Sequence, residues 1–221
     1  LDTANLAEIR RFYDIFPIAG VTSNPSIVKR EGNIDFFDHM KEIRSIIGID
    51  KPLHIQVTAS DTDGMFRDAD TLLNKVDSEV YVKIPVTMEG IKTIKLLKAQ
   101  NIHVTGTAIY SKQQGFLAME AGADCIAPYF NRMENMGINS DDVIASLAEM
   151  IDLYHYNTEI LAASFKNAGQ VDRAFLAGAQ TATMDPSILE AALTFSHITS
   201  AVDAFEQDWK SIYGDKTLSD L

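Results

Sequence analysis

Cysteine occurs once, at Cys125, so no intrachain disulfide can form and an extracellular disulfide framework is excluded. No apolar run approaches the roughly 18–20 residues of a membrane-spanning helix. The start of the chain has no basic stretch leading into an apolar one, as an export signal would. Basic residues are scarce: 19 Lys and Arg stand against 31 Asp and Glu, for a net charge of −12 and a pI of about 4.7. Such a field repels phosphate, which excludes general attraction to nucleic acid or an anionic membrane surface. An anionic small substrate is admitted only where a few cations reverse the field locally. Catalytic signatures are missing too. His39, His54, His103, His155 and His197 form no H-x-x-H or H-E-x-x-H pattern, so a metal site has little support. There is no Walker A, no G-x-S-x-G and, among twelve glycines, no G-x-G-x-x-G. These absences leave a cytoplasmic protein as the expectation, with no metal and no cofactor.

What is present is alternation. The 221 residues, 46% of them hydrophobic, allow one domain with a full core. Short β-branched or apolar runs predict strands at Leu1–Thr3, Gly20–Thr22, Leu53–Val57, Val80–Ile84, Ile102–Thr107, Cys125–Tyr129, Glu159–Ala163 and Thr181–Met184. Helical patterns lie between them, such as Phe36, Met40, Ile43 and Ile47, or Ile91, Ile94 and Leu97 with Lys92, Lys95 and Lys98 opposite. Asn24-Pro25 and Asp185-Pro186 each place a capping side chain before a proline at the first helical position. Ser111-Lys112-Gln113-Gln114 fits a capping box. Eight strand–helix units predict an α/β fold, a (β/α)8 TIM barrel over residues 1–195. The chain opens without an initiator Met, inside what reads as the first strand, so a few residues are expected to precede it.

One element exceeds the barrel. Residues 196–221 form a C-terminal helical extension in which Ile198, Val202, Phe205, Trp209 and Ile212 follow a 4-3-4-3 spacing. A stripe of that kind must be buried. Either its own barrel or a neighbouring subunit covers it.

In such barrels the chemistry comes from the C-terminal ends of the strands. The polar residues there are Asp2, Asn24, Gln56, Lys83, Thr107, Tyr129 with Asn131 and Arg132, Ser164 with Lys166, and Asp185. Lys83 is the most informative. In Val80-Tyr81-Val82-Lys83-Ile84-Pro85, strand alternation sends Val82 and Ile84 to one face and Lys83 to the other. A lysine desolvated in a barrel mouth has a lowered pKa, and a neutral amine can form a Schiff base with a ketone. A lysine whose stem snorkels to water is the alternative. Asp2 could handle a substrate hydroxyl or a proton, or simply cap the helix that follows. Tyr129 could be a general acid or base, or a rim aromatic. Arg132, Ser164 and Lys166 together could hold a phosphate. Lys92, Lys95 and Lys98 read as a solvated helix face, and Cys125 as core rather than nucleophile.

Four segments then carry a resemblance: Leu1-Asp2-Thr3-Ala4-Asn5, Gly20-Val21-Thr22-Ser23-Asn24-Pro25-Ser26, Val82-Lys83-Ile84-Pro85-Val86-Thr87 and Ala162-Ala163-Ser164-Phe165-Lys166. In order and along the whole chain, they resemble the small transaldolase family. The resemblance implies a (β/α)8 barrel and class I Schiff-base chemistry without metal, with Lys83 as nucleophile. Two activities are close within the family: transaldolase, which passes a dihydroxyacetone unit to an aldehyde, and fructose-6-phosphate aldolase, which releases it. Gln56 stands where transaldolases of this type usually carry Glu, Thr105-Gly106-Thr107 where they carry Asn-x-Thr, and Tyr129 where they carry Phe. All three resemble the aldolase pattern; Ser23 departs from the commoner Thr. The resemblance implies Tyr129 as main proton donor and acceptor, and Gln56 and Thr107 as positioning a relay water. It implies Asp2 and Asn24 on the dihydroxyacetone hydroxyls and Arg132, Ser164 and Lys166 on the phosphate. The expected substrate is a sugar phosphate. The expected assembly is a homo-oligomer built on pentamer rings, up to a decamer, with the C-terminal helix reaching a neighbour. Transaldolase proper and a catalytically silent sugar-phosphate-binding barrel are the competing readings.

Overall fold

The computed structural model describes residues 1–221 as an α/β fold around one curled parallel sheet. Its seven strands lie in sequential order: β1 (Val21–Thr22), β2 (Leu53–Gln56), β3 (Tyr81–Pro85), β4 (Val104–Ile109), β5 (Cys125–Pro128), β6 (Glu159–Ala162) and β7 (Thr181–Ala182). All neighbouring pairs are parallel. Sequential parallel pairing requires a crossover after each strand, and a helix runs between every consecutive pair. Residues Leu1–Thr3 make a single bridge, Asp2 with Thr22, rather than a strand of their own. They touch both edges of the sheet. The Asp2 N–H donates to Met184 O at 2.8 Å, and the Thr22 N–H donates to Leu1 O at 2.8 Å.

The core lies between sheet and helices. Met40, Ile43 and Ile47 of helix Phe36–Ile47 are buried, as are Ile94 and Leu97 of helix Met88–Lys98. Val82 and Ile84 on β3 join that layer, while Lys83 faces the sheet's other side. Lys98 is not merely solvated. It ion-pairs with Asp124 at 2.7 Å, and Asp124 also accepts the Val104 N–H, so this lysine fastens the entry to β4.

The predicted caps form with local differences. Asn24 Oδ1 accepts the N–H groups of Ser26 and Ile27, and Asp185 accepts that of Ser187. Ser111 accepts the Gln114 N–H at 3.3 Å, but the Gln114 side chain answers to the N–H of Tyr110, one residue before the cap. The cap of helix Leu6–Ile15 is Asn5, which leaves Asp2 free of that duty.

The final long helix spans Ser196–Tyr213 and buries none of its residues. Ile198, Val202, Phe205 and Ile212 are 44%, 56%, 70% and 71% exposed, so the rest of the chain does not cover the stripe. No helix is long and apolar enough to cross a membrane.

Candidate active site

A cavity of about 340 Å³ opens where the strands end, lined among others by Asp2, Asn24, Lys83, Tyr129, Arg132, Ser164 and Lys166. Of the nine residues given a catalytic or binding role above, seven therefore meet in one place. Arg30, Lys83, Arg132 and Lys166 face it against the carboxylates of Asp2 and Asp185. A strongly acidic protein thus turns its field positive here, which is what an anionic ligand needs. A larger cavity of about 470 Å³ sits among His54, Tyr81, Cys125 and Glu159, with no Lys or Arg on its walls. It offers no lysine and no cationic side chain to hold an anion.

Lys83 is 3% exposed, and its Nζ donates to Ser23 O at 3.1 Å. Burial pushes its pKa below the usual lysine value, and the nearby charge of Asp2 opposes this only in part. Register explains the placement. Lys83 lies opposite Gln56 on β2 and Thr105 on β4, so the ammonium stem rises from the interior of the sheet. Beneath it the interior is polar but uncharged. His54 Nδ1 and Thr105 Oγ1 are 2.8 Å apart, and burial, then the charge of Lys83, hold His54 at about 3.

Tyr129 stands across the cavity. Its hydroxyl lies 2.9 Å from Thr107 Oγ1, and burial raises its pKa against the lowering effects of Thr107 and Arg132. The ring sits between Tyr110, edge-on at 5.6 Å, and the Arg132 guanidinium, 4.7 Å from its centroid. Cation–π contact at this range holds the arginine over the pocket. Thr107 does not line the cavity and is connected to it through Tyr129. The register of β4 slips between Gly106 and Ile109, and Ala108 adopts φ +58°. Such a bulge re-aims the side chain beside it.

Asn24 spends its carbonyl oxygen on two backbone N–H groups, so its Nδ2 remains as the donor. Asp2 Oδ1 accepts the Thr22 hydroxyl at 2.6 Å. Ser164 takes φ +64°, a conformation that costs a non-glycine residue about 1 kcal/mol. Its carbonyl accepts the Asn131 N–H at 2.9 Å, which ties the Ser164–Lys166 loop to helix Phe130–Asn135. Lys166 is exposed at the rim. Gln56 is the outlier. It pairs with Lys83 in register but lines a separate depression of about 220 Å³ with Phe36, Phe37 and Asp68. Cys125 is buried with its thiol pushed up to about 12, consistent with core.

Sequence reasoning missed Arg30, which lines the cavity and reaches Asp185 at 3.4 Å. It lies in the 3-10 turn Lys29–Glu31 rather than at a strand end. Its one signal was position, a few residues past the Asn24-Pro25 cap.

Residues 1–216 match the family described as Transaldolase/Fructose-6-phosphate aldolase. The chain belongs to that family. A relative from Streptococcus pneumoniae (strain ATCC 700669 / Spain 23F-1), described as a probable fructose-6-phosphate aldolase, is 46% identical over 218 residues, covering 99% of this chain and 98% of the relative. The transaldolase/fructose-6-phosphate aldolase match spans every residue that lines the cavity around Lys83.

Proposed function

We propose that this protein is a class I aldolase that cleaves fructose 6-phosphate to dihydroxyacetone and glyceraldehyde 3-phosphate, reversibly. The observation that carries the reading is a buried, pKa-lowered Lys83 sharing one cation-rimmed cavity with the Tyr129 hydroxyl. The neutral amine of Lys83 attacks the ketose C2 carbonyl, and loss of water gives the iminium. The C4 hydroxyl gives up its proton as the C3–C4 bond breaks, and the bonding pair moves into the iminium to form an enamine. Glyceraldehyde 3-phosphate departs. Tyr129 accepts and returns protons in these steps, held by Thr107. Protonation of the enamine carbon and hydrolysis of the resulting iminium release dihydroxyacetone and restore Lys83.

Asp2 and the Nδ2 of Asn24 hold the dihydroxyacetone hydroxyls, Asp2 also handling a proton. Arg132, Ser164 and Lys166 hold the phosphate, with Arg30 beside them. Gln56, whose side chain makes no hydrogen bond within the chain, is assigned to a relay water next to Lys83. A phenol favours release over transfer, because it can protonate the enamine before an acceptor arrives.

We read the sheet as an eight-stranded (β/α)8 barrel, with Leu1–Thr3 as the first strand joining β1 to β7. The uncovered stripe on Ser196–Tyr213 we assign to a second copy of the chain, in a cytoplasmic pentamer-based assembly.

The test measures dihydroxyacetone release from fructose 6-phosphate with and without erythrose 4-phosphate. Release without acceptor is expected. Turnover only with acceptor would make the enzyme a transaldolase, and no turnover in either case would leave a silent binding barrel.

A further inference from the structure

Below the cavity two hydroxyls touch that the reaction does not use directly. Thr22 on β1 and Thr183, just past β7, are each 2% exposed, and their Oγ1 atoms lie 2.7 Å apart. Thr22 Oγ1 also lies 2.6 Å from Asp2 Oδ1. A threonine hydroxyl has one proton to give. An ionised carboxylate can only accept. If Thr22 gave its proton to Thr183, two unprotonated oxygens would face each other at 2.6 Å, one of them anionic. Thr22 therefore donates to Asp2, and the proton between the threonines belongs to Thr183. The hydroxyl of Thr183 has no other partner in the chain.

The geometry points to Thr183 as a positioning residue for Asp2: by donating to Thr22, it directs the single Thr22 proton onto the Asp2 carboxylate. The chain runs Thr183 to Thr22 to Asp2, each donor polarised by the next acceptor, so the bond to the carboxylate is stronger than Thr22 alone would make it. Asp2 is fixed on its other side by its own N–H, which donates to Met184 O at 2.8 Å. One oxygen is committed to Thr22, and the other is left for the cavity. The kinetic consequence rests on the aldolase reading; the hydrogen-bond direction does not.

Two measurements test this on the full chain. Neutron diffraction from deuterium-exchanged crystals locates the hydroxyl deuterons directly. The expected map has the Thr22 deuteron on the line to Asp2 and the Thr183 deuteron on the line to Thr22. A Thr22 deuteron aimed at Thr183 overturns the proposal.

The second compares Thr183→Val, which keeps the volume, with Thr183→Ser, which keeps the hydroxyl. Thr183→Val is expected to lower kcat for cleavage about 3- to 10-fold, the range of one net hydrogen bond, with KM within about twofold. Thr183→Ser is expected to restore kcat. Equal kcat in Thr183→Val and an active parent overturns the positioning role, as does a loss that Ser fails to restore. A parent without aldolase activity but with the expected deuterons would remove the aldolase reading and leave the hydrogen-bond chain standing.

Discussion

A lysine buried to 3% exposure with one carbonyl partner is a poor choice for stability, since the charged form has lost most of its hydration. Its presence among apolar strand residues makes sense as chemistry. Replacing it should separate the two demands. Lys83→Met is expected to lose cleavage by at least about 10³-fold, because no other amine lines the cavity floor, while unfolding at neutral pH shifts upward. A gain of about 1 kcal/mol corresponds to about 2–4 °C for a chain of this size. The sign follows from linkage. The folded-state pKa of Lys83 is lowered, so between that value and the ordinary lysine value the unfolded chain binds more protons, and the parent's stability rises with pH across that window. The Met variant should lack this rise, which thermal melts across pH 7–10 would show. Tyr129→Phe tests the proton donor: release without acceptor should fall about 10²-fold, while transfer to erythrose 4-phosphate falls less. Equal losses in the two assays would remove the phenol from its assigned role.

At the scale of elements, the groups assigned to the reaction are aimed by features that sequence patterns convey unequally. The strand end carrying Lys83 was legible because alternation and flanking β-branched residues mark it, and Asn24-Pro25 announced its own cap. The slip in β4 was not. Ala108 at φ +58° is an ordinary alanine in sequence, and only register against β5 shows the bulge that turns Thr107 toward Tyr129. Gln56 shows what a strand-end position leaves open. It pairs with Lys83 in register, yet the depression it lines is a separate one, and sequence does not tell which side of the rim a side chain joins. Close packing gives a further test. A Cβ on Gly90 would stand 1.9 Å from Pro85 O, the last carbonyl of the strand that carries Lys83. Gly90→Ala should therefore push helix Met88–Lys98 off β3 and cost more than about 2 kcal/mol, despite alanine's better helix propensity. Chemical denaturation measures it. A stability equal to the parent's would mean that the helix shifts without resistance.

For the molecule as a whole, the alternation of strands and helices was readable from period and capping, and the last helix from its apolar stripe alone, since Phe195 at its start offers no side-chain cap. What covers that helix was not, because one chain's sequence does not distinguish its own surface from a neighbour's. The structure removes one option, since no residue of Ser196–Tyr213 is buried against the rest of the chain. Phe205→Asp with Ile212→Asp is expected to leave the α/β fold intact and reduce the solution mass to that of a single chain, as light scattering would report. Retention of a large assembly would place the subunit interface elsewhere. The excess of acidic residues is likewise a whole-molecule property, and the cavity departs from it through Arg30, Arg132 and Lys166 at its rim. The most direct measurement is borohydride reduction in the presence of dihydroxyacetone, followed by peptide mass mapping. A reduced three-carbon adduct on Lys83 is expected, and none in Lys83→Met. An active enzyme with no adduct, or with an adduct on another lysine, would contradict it.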